Sequence, residues 1–327
     1  MRAFVTGGTG FVGANLVAEL NELGIGACVL HRPSSSLAAL EGLYYESAHG
    51  DILDEPGRLA EAMAGCQWVF HVAAVADYWR QGRERIYQVN VEGTRRVVEA
   101  ARLAGVSRLV FTSSLAAMGI PAPGTLLDES NRFNQPPESW PYGHSKALAE
   151  EVVLQAVADG LDAVIVNPSI VLGPRDLNRI SGSLILEAAG GLLRFTAPGG
   201  TNFIAAQDVA AGHVAAAERG RTGERYILGA HNLPYTEAIA TICATVGRRP
   251  PLFRVRRWML PPAALAIAGA RRLLGNRIPL DPTQVRMMAL NLYADSSKAR
   301  RELSLPQTPF PTAVKDAYNW YRVKGYL

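Results

Sequence analysis

Cysteine is scarce in this 327-residue sequence, which has only Cys28, Cys66 and Cys243. Their odd number and wide spacing, with no CxxC pair and no Cys/His cluster, speak against a disulfide framework and a zinc site. No metal is expected, and a reducing, cytoplasmic location is. No apolar run approaches the roughly 20 residues needed to cross a bilayer. No secretory leader is expected, because a strand begins at once. No Lys/Arg run is interleaved with aromatics, so the net charge of +4 does not point to nucleic acid. Internal repeats and low-complexity tracts are also missing. What remains, 48% hydrophobic and 19% charged residues, is an ordinary globular composition. The chain is long for a single compact core, so one large or two closely joined domains are expected.

The most informative stretch lies at the N-terminus. Arg2-Ala3-Phe4-Val5 reads as a short buried strand, and Phe11 to Leu23 as an apolar-periodic helix. Between them runs Thr6-Gly7-Gly8-Thr9-Gly10-Phe11-Val12-Gly13, with Gly7, Gly10 and Gly13 three residues apart. Glycine permits the tight turn and lets a ligand approach the backbone. The free N–H groups and positive dipole end of the helix then face an anion, most naturally the pyrophosphate of a dinucleotide.

Strands and helices alternate from there on. Strands are predicted at 27–30, 43–48, 67–74, 108–112 and 163–166, with helices at 55–64, 89–104 and 143–158. This rhythm predicts an α/β, doubly wound parallel Rossmann sheet whose ligands sit at the carboxyl ends of the strands. After Gly173-Pro174 the rhythm breaks. Residues 1–172 are read as the dinucleotide-binding domain, with 203–217 returning to it. Residues 173–327 are read mainly as a smaller, discontinuous α/β substrate domain. Within it, the segment 258–272 holds an apolar stretch, Met259 to Ala270, that lies between Arg254, Arg256, Arg257 and Arg271, Arg272. A core helix, a homodimer contact and a peripheral membrane contact are all open readings of that stretch.

Chemistry is written at Pro141-Tyr142-Gly143-His144-Ser145-Lys146. At a helix start, Tyr142 and Lys146 form an i, i+4 pair on one face. A nearby ammonium favours the phenolate and is expected to pull the Tyr142 pKa down from its reference value of about 10. Such a phenol can give a proton to a carbonyl or take one from an alcohol. His71 is read as a buried histidine completing its hydrogen bonds, not as a metal ligand.

With these motifs in place, the sequence resembles the extended short-chain dehydrogenase/reductase superfamily. The TGGTGFVG loop, the HVAA and TSS strand ends, the YGHSK pair and the NPSIVLGP turn follow one another in that family's order. The likeness covers essentially the whole chain. It is strongest to dihydroflavonol-4-reductase-like and 3β-hydroxysteroid-dehydrogenase-like members, with hopanoid-associated sugar epimerases also similar. The resemblance implies Tyr142 as catalytic acid/base, with Lys146 holding the cofactor ribose and tuning the tyrosine. It implies Ser114 as the donor to the substrate oxygen, with Ser113 the alternative. Beside the glycine loop (Gly7, Thr9, Gly10, Phe11, Val12 and Gly13), it places Asp51 and Ile52 at the adenine. Ala73 and Ala74 would line the dinucleotide, and Pro168, Ser169 and Ile170 would flank the nicotinamide. Asn90 would support the cofactor loop, although a helix N-cap explains it equally well.

Cofactor choice is expected at the end of the second strand. An acidic residue there would take the ribose hydroxyl of NAD. His31-Arg32-Pro33-Ser34 stands there instead, and Arg32 can pair with phosphate oxygens, so NADP(H) is favoured with NAD(H) as the alternative. The acidic pair that sugar-nucleotide dehydratases carry after the serine is replaced by Leu115-Ala116-Ala117, which argues against dehydration. Tyr78, Trp79, Met118, Leu184, Ile185, Leu186, Leu192, Leu193, Phe195 and Phe203 suggest an apolar lining for a small-molecule, lipid- or ring-type ketone. Arg175, Asn178 and Arg179 could hold a diphosphate and keep a nucleotide-sugar epimerase open. A non-catalytic dinucleotide sensor is a third reading.

Overall fold

The structure, a computed structural model, describes residues 1–76, 82–274 and 282–327. Tyr78 and Trp79, expected at the substrate, lie outside the described residues. The chain begins β1 (Arg2–Thr6), α1 (Phe11–Glu22), β2 (Gly26–His31), β3 (Glu46–His49), α2 (Pro56–Ala62) and β4 (Trp68–His71). It continues α3 (Arg83–Tyr87), a π-helical turn at 88–92, α4 (Gly93–Leu103), β5 (Arg108–Thr112), α5 (Pro141–Ala158) and β6 (Ala163–Pro168). Then come β7 (Ile170–Leu172), α6 (Ser183–Ala189), β8 (Phe195–Thr196), β9 (Gly200–Ala205), α7 (Ala206–Arg219) and β10 (Arg225–Leu228). The remainder is β11 (His231–Pro234), α8 (Tyr235–Thr245), β12 (Phe253–Arg254), α9 (Leu260–Leu274), α10 (Pro282–Met287), β13 (Asn291–Leu292), α11 (Ser297–Leu303) and α12 (Phe310–Val323).

Seven parallel strands form the main sheet in the order β10-β6-β5-β4-β1-β2-β3. Side chains alternate across each strand, so Ala3 and Val5 of β1 enter the core under α1 and α7, while Phe4 enters the core under α2, α4 and α5. Burial on both faces explains why these strands read as continuous apolar runs. The chain order reverses between β1 and β4, and a crevice at the carboxyl ends of two such strands is where open α/β sheets bind ligands.

The second lobe is built on a small sheet in which β9 pairs with β7, β11 and β13, covered by α6, α8 and α12. The segment 203–217 is shared between the two lobes. Its strand part lies in β9 of the small sheet. Its helical part, in α7, packs on the main sheet against α1. β10 supplies the last strand of the main sheet.

Candidate functional site

Gly7 holds the junction between β1 and α1. Its φ is +70°, and a Cβ there would lie 2.5 Å from the backbone nitrogen of Ala73. A side chain is therefore excluded both by conformation and by the end of β4. Gly10 caps α1 without a side-chain bond, so the first-turn N–H groups of the helix stay available to an anion.

Beneath this turn a buried chain of hydrogen bonds links β1, β4 and α4. Thr6 Oγ1 accepts from Ala73 N–H (3.3 Å) and donates to His71 Nδ1 (2.7 Å). Thr94 donates to the Asn90 carbonyl (2.6 Å), so it accepts from His71 Nε2 (3.0 Å). His71 is thus a neutral hydrogen-bonding link. Burial, with the charge of Lys146, pushes its pKa down to about 3.

Asn90 lies in the π-helical turn and is not an N-cap. Its amide accepts from Val75 N–H (2.7 Å) and donates to Ser145 Oγ (2.9 Å), whose hydroxyl donates to the Tyr142 carbonyl (2.8 Å). The end of β4 and the start of α5 are in this way tied through one side chain. Gly143 completes the approach, since a Cβ there would meet Ala116 O at 2.7 Å. Tyr142 can therefore reach the turn after β5, where its phenol hydrogen-bonds the Ser114 hydroxyl.

Lys146 is buried one turn along α5. Its Nζ donates to Thr112 O (2.6 Å) and sits 4.3 Å from the Phe111 ring centroid. Desolvation pushes its pKa down to about 7, against the opposing charge of Glu150. The expectation that Lys146 lowers the Tyr142 pKa is corrected here. Burial raises the phenol above its ordinary value, and the partner that draws it back is Ser114. The lysine Nζ spends one N–H on Thr112 O and faces the Phe111 ring.

One further turn on, Glu150 was not picked out by motif reading. It accepts from Ser113 Oγ (2.5 Å), Asn167 Nδ2 (2.6 Å) and Arg225 Nη1 (3.0 Å). Asn167 Nδ2 also donates to Ser114 O (3.0 Å). The buried carboxylate therefore ties together the ends of β5 and β6. Its signal in the sequence was its place four residues after Lys146, on the face that carries Tyr142. Beside it, the buried oxygens Asn167 Oδ1 and Ser169 Oγ have no partner among the described residues.

The remaining expected residues distribute as follows. Ala73, Ala74, Phe11 and Val12 are half-buried around the crevice, and Pro168, Ser169 and Ile170 run from β6 into β7. Arg32 is exposed past β2, 3.8 Å from Asp51. Ile52 is in the core, against Gly93. Arg175 donates to Ala39 O (2.6 Å), and Arg179 lies over the Tyr326 ring. Of the apolar lining, Ile185, Phe203 and Met118 are fully packed core, whereas Leu192 and Phe195 are exposed.

Comparison with known proteins gives the following relations. Residues 3–229 match the NAD dependent epimerase/dehydratase family. A Synechocystis sp. protein provisionally named dihydroflavonol 4-reductase is 40% identical over 99% of this chain and 95% of its own. Sterol demethylase protein B of Methylococcus capsulatus is 35% identical, covering 100% of both chains. The crystal structure of PA4631, described as a nucleoside-diphosphate-sugar epimerase from Pseudomonas aeruginosa, is 26% identical. Its TM-score is 0.83, over 100% of this chain and 99% of that one.

Proposed function

This chain belongs to the NAD dependent epimerase/dehydratase family, and we propose that it interconverts a ketone and a secondary alcohol on an apolar substrate with NADP(H). The observation that carries this reading is the Ser114–Tyr142 hydroxyl pair at the head of α5, with Leu115-Ala116-Ala117 following the serine in place of an acidic pair. The buried carboxylate two turns along α5, Glu150, is held by Arg225 and Asn167. One proton-transfer group suffices for carbonyl reduction, whereas dehydration calls for a second.

The residues present fit a dinucleotide. Gly7 leaves a backbone cradle that a side chain would fill, and the N-terminus of α1 would hold the pyrophosphate. Lys146 would hold the ribose. The orphaned oxygens of Asn167 and Ser169 are polar groups at the strand end where the nicotinamide is expected. When bound, the cofactor supplies the hydride chemistry. Tyr142 gives its proton to the carbonyl oxygen during reduction and takes it back during oxidation. Ser114 donates to the same oxygen and orients it. Arg32 is the residue proposed to select the 2′-phosphate.

The apolar substrate is supported by the name of the Methylococcus capsulatus relative and by the engagement of Arg175 and Arg179 within the protein. The second reading, nucleotide-sugar epimerisation, is favoured by the likeness to the Pseudomonas aeruginosa protein. In this chain, Arg175 is turned to the Ala39 carbonyl and Arg179 lies over the Tyr326 ring.

NADPH consumption is the test, with steroid, flavonoid and acyl ketones set beside UDP- and dTDP-sugars. Turnover of a ring or lipid ketone is expected, falling about 10²–10⁴-fold in Tyr142→Phe while cofactor binding survives. Conversion of the sugars alone, or near-parental turnover by the Phe variant, overturns the reading.

A further inference from the structure

Helix α9 has two apolar faces. On one, Leu260 and Ala264 are buried with Val285 of α10, and Ile267 packs beside them. On the other, Leu265 and Leu273 are 67% and 86% exposed, and Trp258, in the single turn just before the helix, is 70% exposed. The adjoining ribbon extends this surface. There Phe253 of β12 pairs with Phe195 of β8; both are exposed, and Leu252 is 99% exposed. Isolated exposed leucines need no explanation, but exposed apolar side chains gathered on one helix and its adjoining ribbon mark an interaction site.

Charge identifies the partner. Arg249, Arg254, Arg256, Arg257 and Arg272 are exposed around the apolar surface. No Asp or Glu occurs from residue 238 to 274 to neutralise them. At 15 residues, α9 is too short to span a bilayer, and no helix of the described residues is long and apolar enough to do so. An exposed apolar stripe with a cationic rim has the composition of a helix lying in the plane of a membrane interface.

We propose that the exposed face of α9, with the β8–β12 ribbon, docks on a bilayer carrying anionic headgroups. The arginines meet the headgroups, and Trp258, Leu265 and Leu273 enter the acyl boundary. This attachment requires no substrate, so it is tested apart from the catalytic reading.

The test is flotation of the full chain with vesicles of phosphatidylcholine alone or mixed with phosphatidylglycerol, at low and high salt. Binding is expected only to the phosphatidylglycerol vesicles, with release at high salt, because exposed charges are screened beyond about 8 Å at physiological ionic strength. Each arginine at the surface is expected to contribute about fivefold. Arg254→Gln/Arg256→Gln/Arg257→Gln should therefore lower partitioning by about a hundredfold. Leu265→Glu should also release the protein, with NADPH-induced thermal stabilisation retained in both variants as the check on folding. Failure to float at low salt, or equal binding to both vesicle types, overturns the proposal. So does a dimer that Leu265→Glu dissociates in sedimentation velocity while vesicle binding is absent.

Discussion

Ser113 and Ser114 are consecutive, yet their hydroxyls serve opposite sides of the turn after β5. Ser113 donates inward to the buried Glu150 at 2.5 Å, while Ser114 bonds the Tyr142 phenol at the crevice. Strand geometry accounts for the division, since successive side chains leave a strand on opposite faces. Of the two serines, Ser114 is therefore the one proposed to act on a substrate.

Substitution at the two positions should therefore separate catalysis from stability. Ser114→Ala should lower kcat by about 10²–10³-fold, the usual loss for one oxyanion donor. It should cost only about 1 kcal/mol of stability, because the hydroxyl also accepts from Ala116 N–H. Ser113→Ala should cost about 1.5–3 kcal/mol by removing a donor from a buried carboxylate, with kcat changed far less. Kinetics and urea unfolding on both variants check this, and a larger kcat loss in Ser113→Ala would reverse the assignment.

Cofactor selection gives a second measurement. Arg32 is exposed and only loosely paired with Asp51, so its guanidinium can turn to a 2′-phosphate without breaking a buried bond. A charge-assisted contact is worth about 1.5–3 kcal/mol, roughly ten- to a hundredfold in affinity. Arg32→Ala should weaken NADPH by that factor and leave NADH almost unchanged. Thermal shift reports both, since stabilisation grows with the logarithm of ligand concentration over Kd. Equal shifts by the two cofactors in the parent protein would remove the claim.

How far the sequence was legible follows from the range of each interaction. The glycine turn and the Tyr142–Lys146 pair are local patterns of spacing, and the structure puts Gly10 at the head of α1 and Tyr142 and Lys146 one turn apart in α5. The third strand starts at Glu46, later than its apolar run suggests, because Asn21 binds the backbone of Tyr44 from α1. Glu150 escaped notice because Asn167 and Arg225 lie 17 and 75 residues away in the chain. The apolar lining was misjudged at Ile185, Phe203 and Met118 for a different reason. Composition cannot distinguish a side chain facing a cleft from one filling the core behind it. The direction of the Tyr142 shift depended on where the lysine ammonium pointed, which spacing alone does not contain.

Lys146 supplies the last prediction, with Glu150 as its control. Burial pushes the lysine down to about 7, so in the free enzyme it is charged below that pH and neutral above it. A charged donor binds a ribose hydroxyl more strongly than a neutral one by about 1 kcal/mol, or about fivefold. NADH is the suitable probe, because a phosphate monoester titrates near about 6 and would overlap the lysine. Its affinity should be flat below about 7 and fall by about fivefold above. Lys146→Met should abolish that limb. Glu150→Gln should move it to lower pH, because the carboxylate that favours the ammonium is gone. The Gln variant should also lose about 3–5 kcal/mol of stability, since Arg225 would stay buried without its partner. Calorimetric titration of NADH across this pH range decides the matter. A limb that persists in Lys146→Met would show that another group controls cofactor binding.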